Sequence, residues 1–135
     1  MALFLVLAII LQGAPIKVTT VARSTMSQID SARQAVARTP ADWAALWKEH
    51  AGNAPAPKVD LNNATVVAVF LGQRMTAGYA VEITDARMSG SALVVRWGER
   101  RPGADQMTAQ VLTSPMHIAS IPAFAGEIRF EKVDK

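Results

Sequence analysis

The sequence predicts an α+β domain dominated by antiparallel β-strands. Short β-prone segments follow one another along the chain, glycine and proline separate them, and a single segment has the apolar spacing of a helix. We therefore expect six or seven strands in a curved sheet or open barrel, with one amphipathic helix packed against it in the N-terminal part. Half of the 135 residues are hydrophobic, which is sufficient for the core of one domain.

The helix is predicted to begin after Thr39 and to end before Gly52. Thr39 can cap the helix, Pro40 suits the first helical position, and Asp42 stands three residues after the cap. Four side chains then recur at helical spacing and form one face: Trp43, Leu46, Trp47 and His50. We expect the two tryptophans to attach the helix to the sheet, because large aromatic side chains dominate core burial. The alternative is a ligand platform.

Two strands with different patterns follow the helix. Residues 66–71 are apolar at every position, as in a strand that is buried on both faces. Residues 79–83 alternate between larger apolar and other side chains, and we expect this strand to continue to about residue 87. Further strands are predicted at residues 34–38, 93–97, 108–113, 116–121 and 127–133, and residues 18–26 form either a first strand or a processing region.

A polar loop with a glycine at each side joins the first two of these strands. This 72–79 loop, a predicted partner-binding loop, consists of Gly72, Gln73, Arg74, Met75, Thr76, Ala77, Gly78 and Tyr79. The glycines permit positive φ or close backbone approach, and the rigid strands would hold the loop outwards, as in many recognition loops. Arg74 at the tip is the candidate for an external contact, and Tyr79 either latches the loop or meets a partner. The alternative is an ordinary hairpin connection.

The first residues have the pattern of an export signal. Residues 2–11 are apolar without a break, which is the length of a signal-peptide hydrophobic region and short for a bilayer span. We expect residues 1–22 to be a signal peptide or an N-terminal anchor, with cleavage after Ala14 or Ala22, and residues 23–135 to be the domain. This predicts a periplasmic, cell-surface or secreted protein. The alternative is an N-terminal core strand.

Residues that carry catalysis or bind metals are sparse and scattered. The chain has no cysteine, and its two histidines, His50 and His117, lack the spacing of a zinc site. The 14 basic residues are distributed among 11 acidic ones, unlike the clustered charge of most nucleic-acid binders. We therefore expect a non-catalytic domain without a metal site, a cofactor or a nucleic-acid partner.

The 72–79 loop and the strands beside it resemble a known family. Residues 67–83, Val-Ala-Val-Phe-Leu-Gly-Gln-Arg-Met-Thr-Ala-Gly-Tyr-Ala-Val-Glu-Ile, are similar to the signature of the PrcB C-terminal domain family, typically VVAVFLG-x-RPTGGYSVEI. Three other segments add to the resemblance: Trp43-x-x-Leu-Trp-x-x-His50, the Val59-Asp60 step and residues 111–122. The resemblance covers residues 34–133, and it departs from the family pattern at Met75 for proline, Leu61 for phenylalanine and Met116 for tyrosine.

The resemblance implies an exported protein-binding domain, an accessory or stabilising subunit of an envelope or secreted protease. Its partner would be a protein, and it would touch a membrane only through an uncleaved N-terminal segment. Two alternatives remain open. One is a protease inhibitor that acts through the 72–79 loop, which is locally similar to a loop of chagasin-type inhibitors. The other is a small-molecule or envelope-polymer binding domain, or an enzyme, that uses His117 and nearby acids.

Overall fold

The computed structural model describes residues 13–133, which form two four-stranded β-sheets and one helix. The elements are β1 (Pro15–Ile16), β2 (Thr19–Ser24), β3 (Arg33–Ala37), α1 (Pro40–Ala51), β4 (Ala64–Phe70), β5 (Ala80–Ser89), β6 (Ala92–Arg100), β7 (Met116–Pro122) and β8 (Ile128–Lys132). The helix-covered sheet has the strand order β2-β7-β4-β3, and the second sheet has the order β1-β5-β6-β8. The predicted leader run, residues 2–11, lies outside the described residues.

The mostly antiparallel β architecture is confirmed, and three details differ. The eight strands of the described range form two separate sheets, which do not close into a barrel. β8 pairs in parallel with β6, while every other strand pair is antiparallel. The helix follows three strands instead of lying at the N-terminal side of the sheet. β1 has only two residues, and a segment that short carries no periodic signal in the sequence.

β4 is the central strand of the core, as its unbroken apolar pattern predicts. It pairs with β3 on one side and with β7 on the other. Val66, Ala68 and Phe70 face α1, and Val67 and Val69 face the second sheet. Because successive side chains of a strand point to opposite faces, a strand between two buried layers must be apolar at each position.

α1 has the ends that the sequence predicts. The backbone N–H of Asp42 donates to Oγ1 of Thr39 at 3.1 Å, and Gly52, with φ 63°, ends the helix. The indole N–H of Trp43 donates to the carbonyl of Pro57 at 3.1 Å. Trp43 also packs against the helix-covered sheet, so it attaches both the helix and the proline-containing linker to the core.

The predicted strand at residues 108–113 is wrong. Residues 101–112 have no regular strand, and Thr113 and Ser114 form only isolated bridges. β-propensity reflects how well a residue fits a half-buried pleated surface, and here neither sheet offers this segment a free position beside a central strand. The segment instead contacts the 72–79 loop.

The 72–79 loop does not close a hairpin. β4 and β5 belong to different sheets, so the loop carries the chain from one sheet to the other. Both edges of β4 are already paired, and β5 pairs with β6 over its whole length. The hairpin interpretation is therefore wrong, and the loop lies where the two sheets end.

Candidate protein-binding surface

Each of the two glycines of the 72–79 loop adopts a positive φ and allows a close approach to a neighbouring segment. Gly72 has φ 88° and Gly78 has φ 98°, a region that side chains with a Cβ rarely adopt. A Cβ on Gly72 would lie 3.0 Å from the backbone nitrogen of Ala32. A Cβ on Gly78 would lie 2.9 Å from Cβ of Pro102. The loop therefore turns sharply and packs closely at each of its ends.

Hydrogen bonds attach the middle of the loop to the segment before β7. Arg74 and Thr113 exchange two backbone bonds, with N···O distances of 2.7 and 2.9 Å. The N–H of Ala77 donates to the carbonyl of Ala109 at 3.0 Å, and the hydroxyl of Thr113 donates to the carbonyl of Thr76 at 3.0 Å. These bonds hold the middle of the loop, between β4 and β5, against the segment that precedes β7.

Arg74 braces the loop with its side chain turned towards the protein. Its Nε lies 3.1 Å from Oε2 of Glu99, and Nη1 donates to the carbonyl of Leu71 at 3.2 Å. Burial alone would raise the pKa of Glu99, whose side chain is only 4% exposed. The hydrogen bonds and charges of Arg74 and Lys132 outweigh burial and hold that pKa below its usual value.

Tyr79 and Thr76 also act within the loop. The guanidinium of Arg74 lies 5.7 Å from the ring centroid of Tyr79, whose ring packs against the core between the sheets. The Thr76 hydroxyl donates to the carbonyl of Ala77 at 2.9 Å, a local bond within the loop. Met75, which stands where the family signature has proline, is 73% exposed.

Exposed large apolar side chains lie on the segments that meet at the loop end of the sheets. Within residues 13–133, five large hydrophobic residues are exposed: Met26, Met75, Met107, Val111 and Leu112. The antiparallel bridge between Arg74 and Thr113 makes Met75 and Leu112 neighbours, and the parallel bridge between Met26 and Ser114 brings Met26 to the same end of the sheets. We call these five residues the apolar surface. Such surfaces are commonly interaction sites, and methionine suits them because its side chain adapts to a partner.

Comparison with known families identifies this region. Residues 65–122 match the family model described as PrcB C-terminal. Residues 65–122 belong to the PrcB C-terminal family. The match extends from β4 to the end of β7, so it contains the whole 72–79 loop and four of the five residues of the apolar surface. The tryptophan helix and the Val59-Asp60 step lie outside it. No match was found among curated proteins or among solved structures.

Most of the apolar surface escaped the sequence prediction. Only Met75 lies in the predicted partner-binding loop, while Val111 and Leu112 fell in the predicted strand at residues 108–113. Met107 precedes that strand, and Met26 comes from the segment after β2. The apolar character of residues 108–113 was the sequence feature that could have revealed Val111 and Leu112, because apolar residues without a sheet to join remain exposed.

In the PrcB C-terminal segment, His117 is buried and joins the two sheets. Its Nδ1 accepts the backbone N–H of Ile83 in β5 at 2.8 Å, and its Nε2 lies 2.9 Å from Oγ1 of Thr20 in β2. The neutral ring therefore carries its proton on Nε2. Burial, aided by the charge of Arg23 and opposed by Glu82, lowers the pKa of His117 to about 4. His50 is buried as well, with Nδ1 2.8 Å from the Ser27 hydroxyl, and burial lowers its pKa.

A cleft of about 600 Å³ lies beside His117 without including it. Its lining includes the charged residues Arg23, Glu82 and Arg100 and the small residues Ala80 and Gly98. Among residues 13–133, no group of three or more acidic or histidine side chains has the arrangement of a metal site. No helix of the described range has the length and apolarity needed to cross a membrane.

Proposed function

We propose that this protein is a non-catalytic, exported protein-binding module that serves as an accessory or stabilising subunit of an envelope or secreted protease. The apolar surface is the observation that carries the proposal. All five exposed large hydrophobic residues of the described range lie on segments at the loop end of the sheets. Scattered exposed apolar residues need no explanation, but a concentration at one end favours a protein partner.

The arrangement of polar groups at the same end supports a binding role over catalysis. Glu99 is paired with cations, and the Thr113 hydroxyl is bonded to the loop. Both nitrogens of His117 are engaged inside the protein. A general base must reach the proton that it removes, and His117 in this position does not reach the surface.

The first described strand, β1, lies at the end of β5 away from the 72–79 loop. β1 pairs with the far end of β5, where Pro15 lies opposite Arg87, while the 72–79 loop joins β5 at Ala80. Arg87 lies seven residues along β5 from Ala80, a separation of about 23 Å. A leader anchored in a membrane would thus leave the apolar surface at the opposite end of the domain. Cleavage after Ala14 would leave β2 whole, whereas cleavage after Ala22 would divide it.

Capture of partners from an envelope extract tests the proposal. The native domain is compared with the double variant Met75→Ser/Leu112→Ser, which removes apolar side chains without touching the core. The matched control is Ala123→Ser/Ala125→Ser, two exposed positions after β7. We expect the native domain and the control to capture a secreted protease, identified by mass spectrometry, and the double variant to lose it. Equal recovery by all three proteins would refute a binding role for the apolar surface.

Inhibition of a protease is the second candidate function. A loop braced at several points that exposes one large side chain, Met75, is the observation that favours it. Rigid loops bind with a small loss of conformational entropy, which suits insertion into an active-site cleft. Micromolar domain assayed against a panel of secreted proteases distinguishes the two functions. An inhibitor would lower the activity of at least one protease, and an accessory subunit would preserve or raise it.

A further inference from the structure

Residues 107–112 have an exposed backbone with the sequence character of a strand. The segment continues from a turn in which Gly103 and Gln106 exchange hydrogen bonds, and it then extends towards β7. Val111 and Leu112 are exposed, and Met107 is 96% exposed. No strand of either sheet pairs with residues 107–112 within the described range.

One side of this backbone is used and the other side is open. Thr113 exchanges both of its backbone bonds with Arg74, and the carbonyl of Ala109 accepts the N–H of Ala77 at 3.0 Å. The N–H of Val111 also donates to the carbonyl of Ala109 at 3.0 Å, which closes a three-residue turn centred on Gln110. Gln110 and Leu112 lie between these bonded residues, and their own N–H and C=O groups point away from the bonded side. Within residues 13–133 the N–H groups of Gln110 and Leu112 have no hydrogen-bond partner. An open row of this kind is a template for another strand.

The charge around the segment is positive. Glu99 is shared by three cations, with distances of 3.1 Å to Arg74, 3.4 Å to Lys132 and 3.8 Å to Arg101. Three positive charges and one negative charge leave an excess of two in this cluster, and Asp105, exposed in the turn before Met107, reduces the local excess to one. Pro102, next to Arg101, and the Thr108 side chain both approach Gly78, so the arginine-containing stretch lies beside the open backbone. This excess complements an acidic partner.

We propose that residues 107–112 bind an extended segment of the partner by strand addition, and that this segment alternates apolar with acidic residues. The partner's backbone would pair with Gln110 and Leu112, its apolar side chains would contact the apolar surface, and its carboxylates would face Arg100 and Arg101. The proposal rests on the proposed protein-binding function and specifies the chemistry of its partner.

The probe is an acetylated and amidated peptide of about eight residues in which valine or leucine alternates with glutamate. Its two matched forms carry lysine for glutamate, or N-methyl groups at alternate residues, which keep the side chains and remove backbone donors. We expect the first peptide to bind at least about tenfold more tightly than either matched form. Its binding should weaken as salt is added, and it should slow amide exchange at Gln110 and Leu112.

Two variants of the protein give the reciprocal test. Gln110→Pro removes one open N–H, whereas Gln110→Ala keeps it and alters only an exposed side chain. We expect the proline variant to lose about tenfold in affinity for the peptide, and the alanine variant to bind like the native domain. Circular dichroism reports whether each variant folds, and if Gln110→Pro fails to fold, the N-methylated peptide decides the question.

Three results would overturn strand addition. The first is that the N-methylated peptide binds as tightly as the unmodified peptide. The second is that no form of the peptide binds at about 1 mM. The third is that the protein sediments as a dimer in which the Leu112 amide is protected from exchange without peptide. The dimer would assign the open backbone to a second copy of the chain. Failure here remains distinguishable from failure of the proposed function: if Met75→Ser/Leu112→Ser abolishes partner capture while N-methylation changes nothing, protein binding stands and strand addition does not.

Discussion

β4 and the loop end are adjacent in the chain, yet they distribute polar and apolar side chains in opposite ways. In β4, Val67 and Phe70 are buried and contact apolar neighbours on both faces of the sheet. At the loop end, the polar side chains of Glu99 and Thr113 are inside, and Met75 is outside. Folding alone favours the first arrangement because it removes apolar area from water. The second arrangement stabilises the fold less and leaves apolar area for a partner.

The largest effect should come from the core side of this comparison. Phe70→Ala removes a ring that is packed beneath α1, and we expect it to lower the free energy of unfolding by about 3–5 kcal/mol. Met75→Ala removes an equally apolar but exposed side chain and should change stability by less than about 0.5 kcal/mol. Urea denaturation of both variants measures the contrast. Similar losses would show that Met75 is packed in solution.

The buried junction between the sheets should respond to acid. The pKa of His117 is lowered to about 4 in the folded protein, below the ordinary value of 6.5, so the unfolded chain binds the proton first. Its contribution to stability is complete above about pH 6.5 and is lost as the pH falls to about 4, a decrease of about 3 kcal/mol. Once Nδ1 of His117 is protonated, it can no longer accept the hydrogen bond from the backbone N–H of Ile83.

Urea unfolding at a series of pH values measures this decrease. The charged groups that act on the ring are Arg23, which opposes protonation, and Glu82, which favours it. His117→Gln should flatten the dependence on pH, whatever its effect on absolute stability. An unchanged slope in that variant would assign the acid sensitivity to other groups.

The close packing of the loop should matter less than the core but should still be measurable. Gly78→Ala forces a Cβ into a positive φ and to 2.9 Å from Pro102, and we expect a loss of about 1–3 kcal/mol. Gly90→Ala is the matched control, because its φ is 63° and a Cβ there meets nothing within 4 Å. Gly90→Ala introduces the backbone strain without a steric clash, and it should lower the free energy of unfolding by about 1 kcal/mol. Equal losses would mean that the approach to Pro102 relaxes freely.

The smallest effect should separate the two kinds of ion pair. Glu99→Gln removes the buried charge that holds Arg74, and we expect a loss of about 1–2 kcal/mol with faster amide exchange in the 72–79 loop. Glu127→Gln breaks an exposed pair with Arg129 and should leave stability and exchange unchanged. Loop exchange that stays slow in Glu99→Gln would show that the backbone bonds suffice to hold the loop.

Local patterns account for the predictions that succeeded. Thr39, Pro40 and Gly52 act on the backbone within one turn of their own positions, so the ends of α1 follow from neighbouring residues. β4 is identified by composition alone, because only a strand enclosed on both faces is apolar throughout. The loop glycines were recognised for the same reason, since positive φ is a property of a single residue.

The failures concern partners that are distant in the chain. A hairpin at the 72–79 loop, the alternative to a partner-binding loop, follows from the adjacency of its flanking strands in sequence, whereas β4 pairs with β3 and β7. Arg74 was placed at the tip, facing outwards, but its partner Glu99 is 25 residues away. Residues 108–113 have β-propensity, and propensity does not specify whether a pairing position exists.

The sequence by itself determined the helix, the central strand, the glycine-bounded loop and the membership of residues 65–122 in the PrcB C-terminal family. Only the tertiary structure decided that the loop crosses between two sheets, that Arg74 turns inwards, and that Met26, Met107 and Leu112 are exposed at the same end as Met75. The physical reason is that backbone conformation depends on neighbours along the chain. Burial and exposure depend on which distant segments meet, and that is settled when the sheets pack.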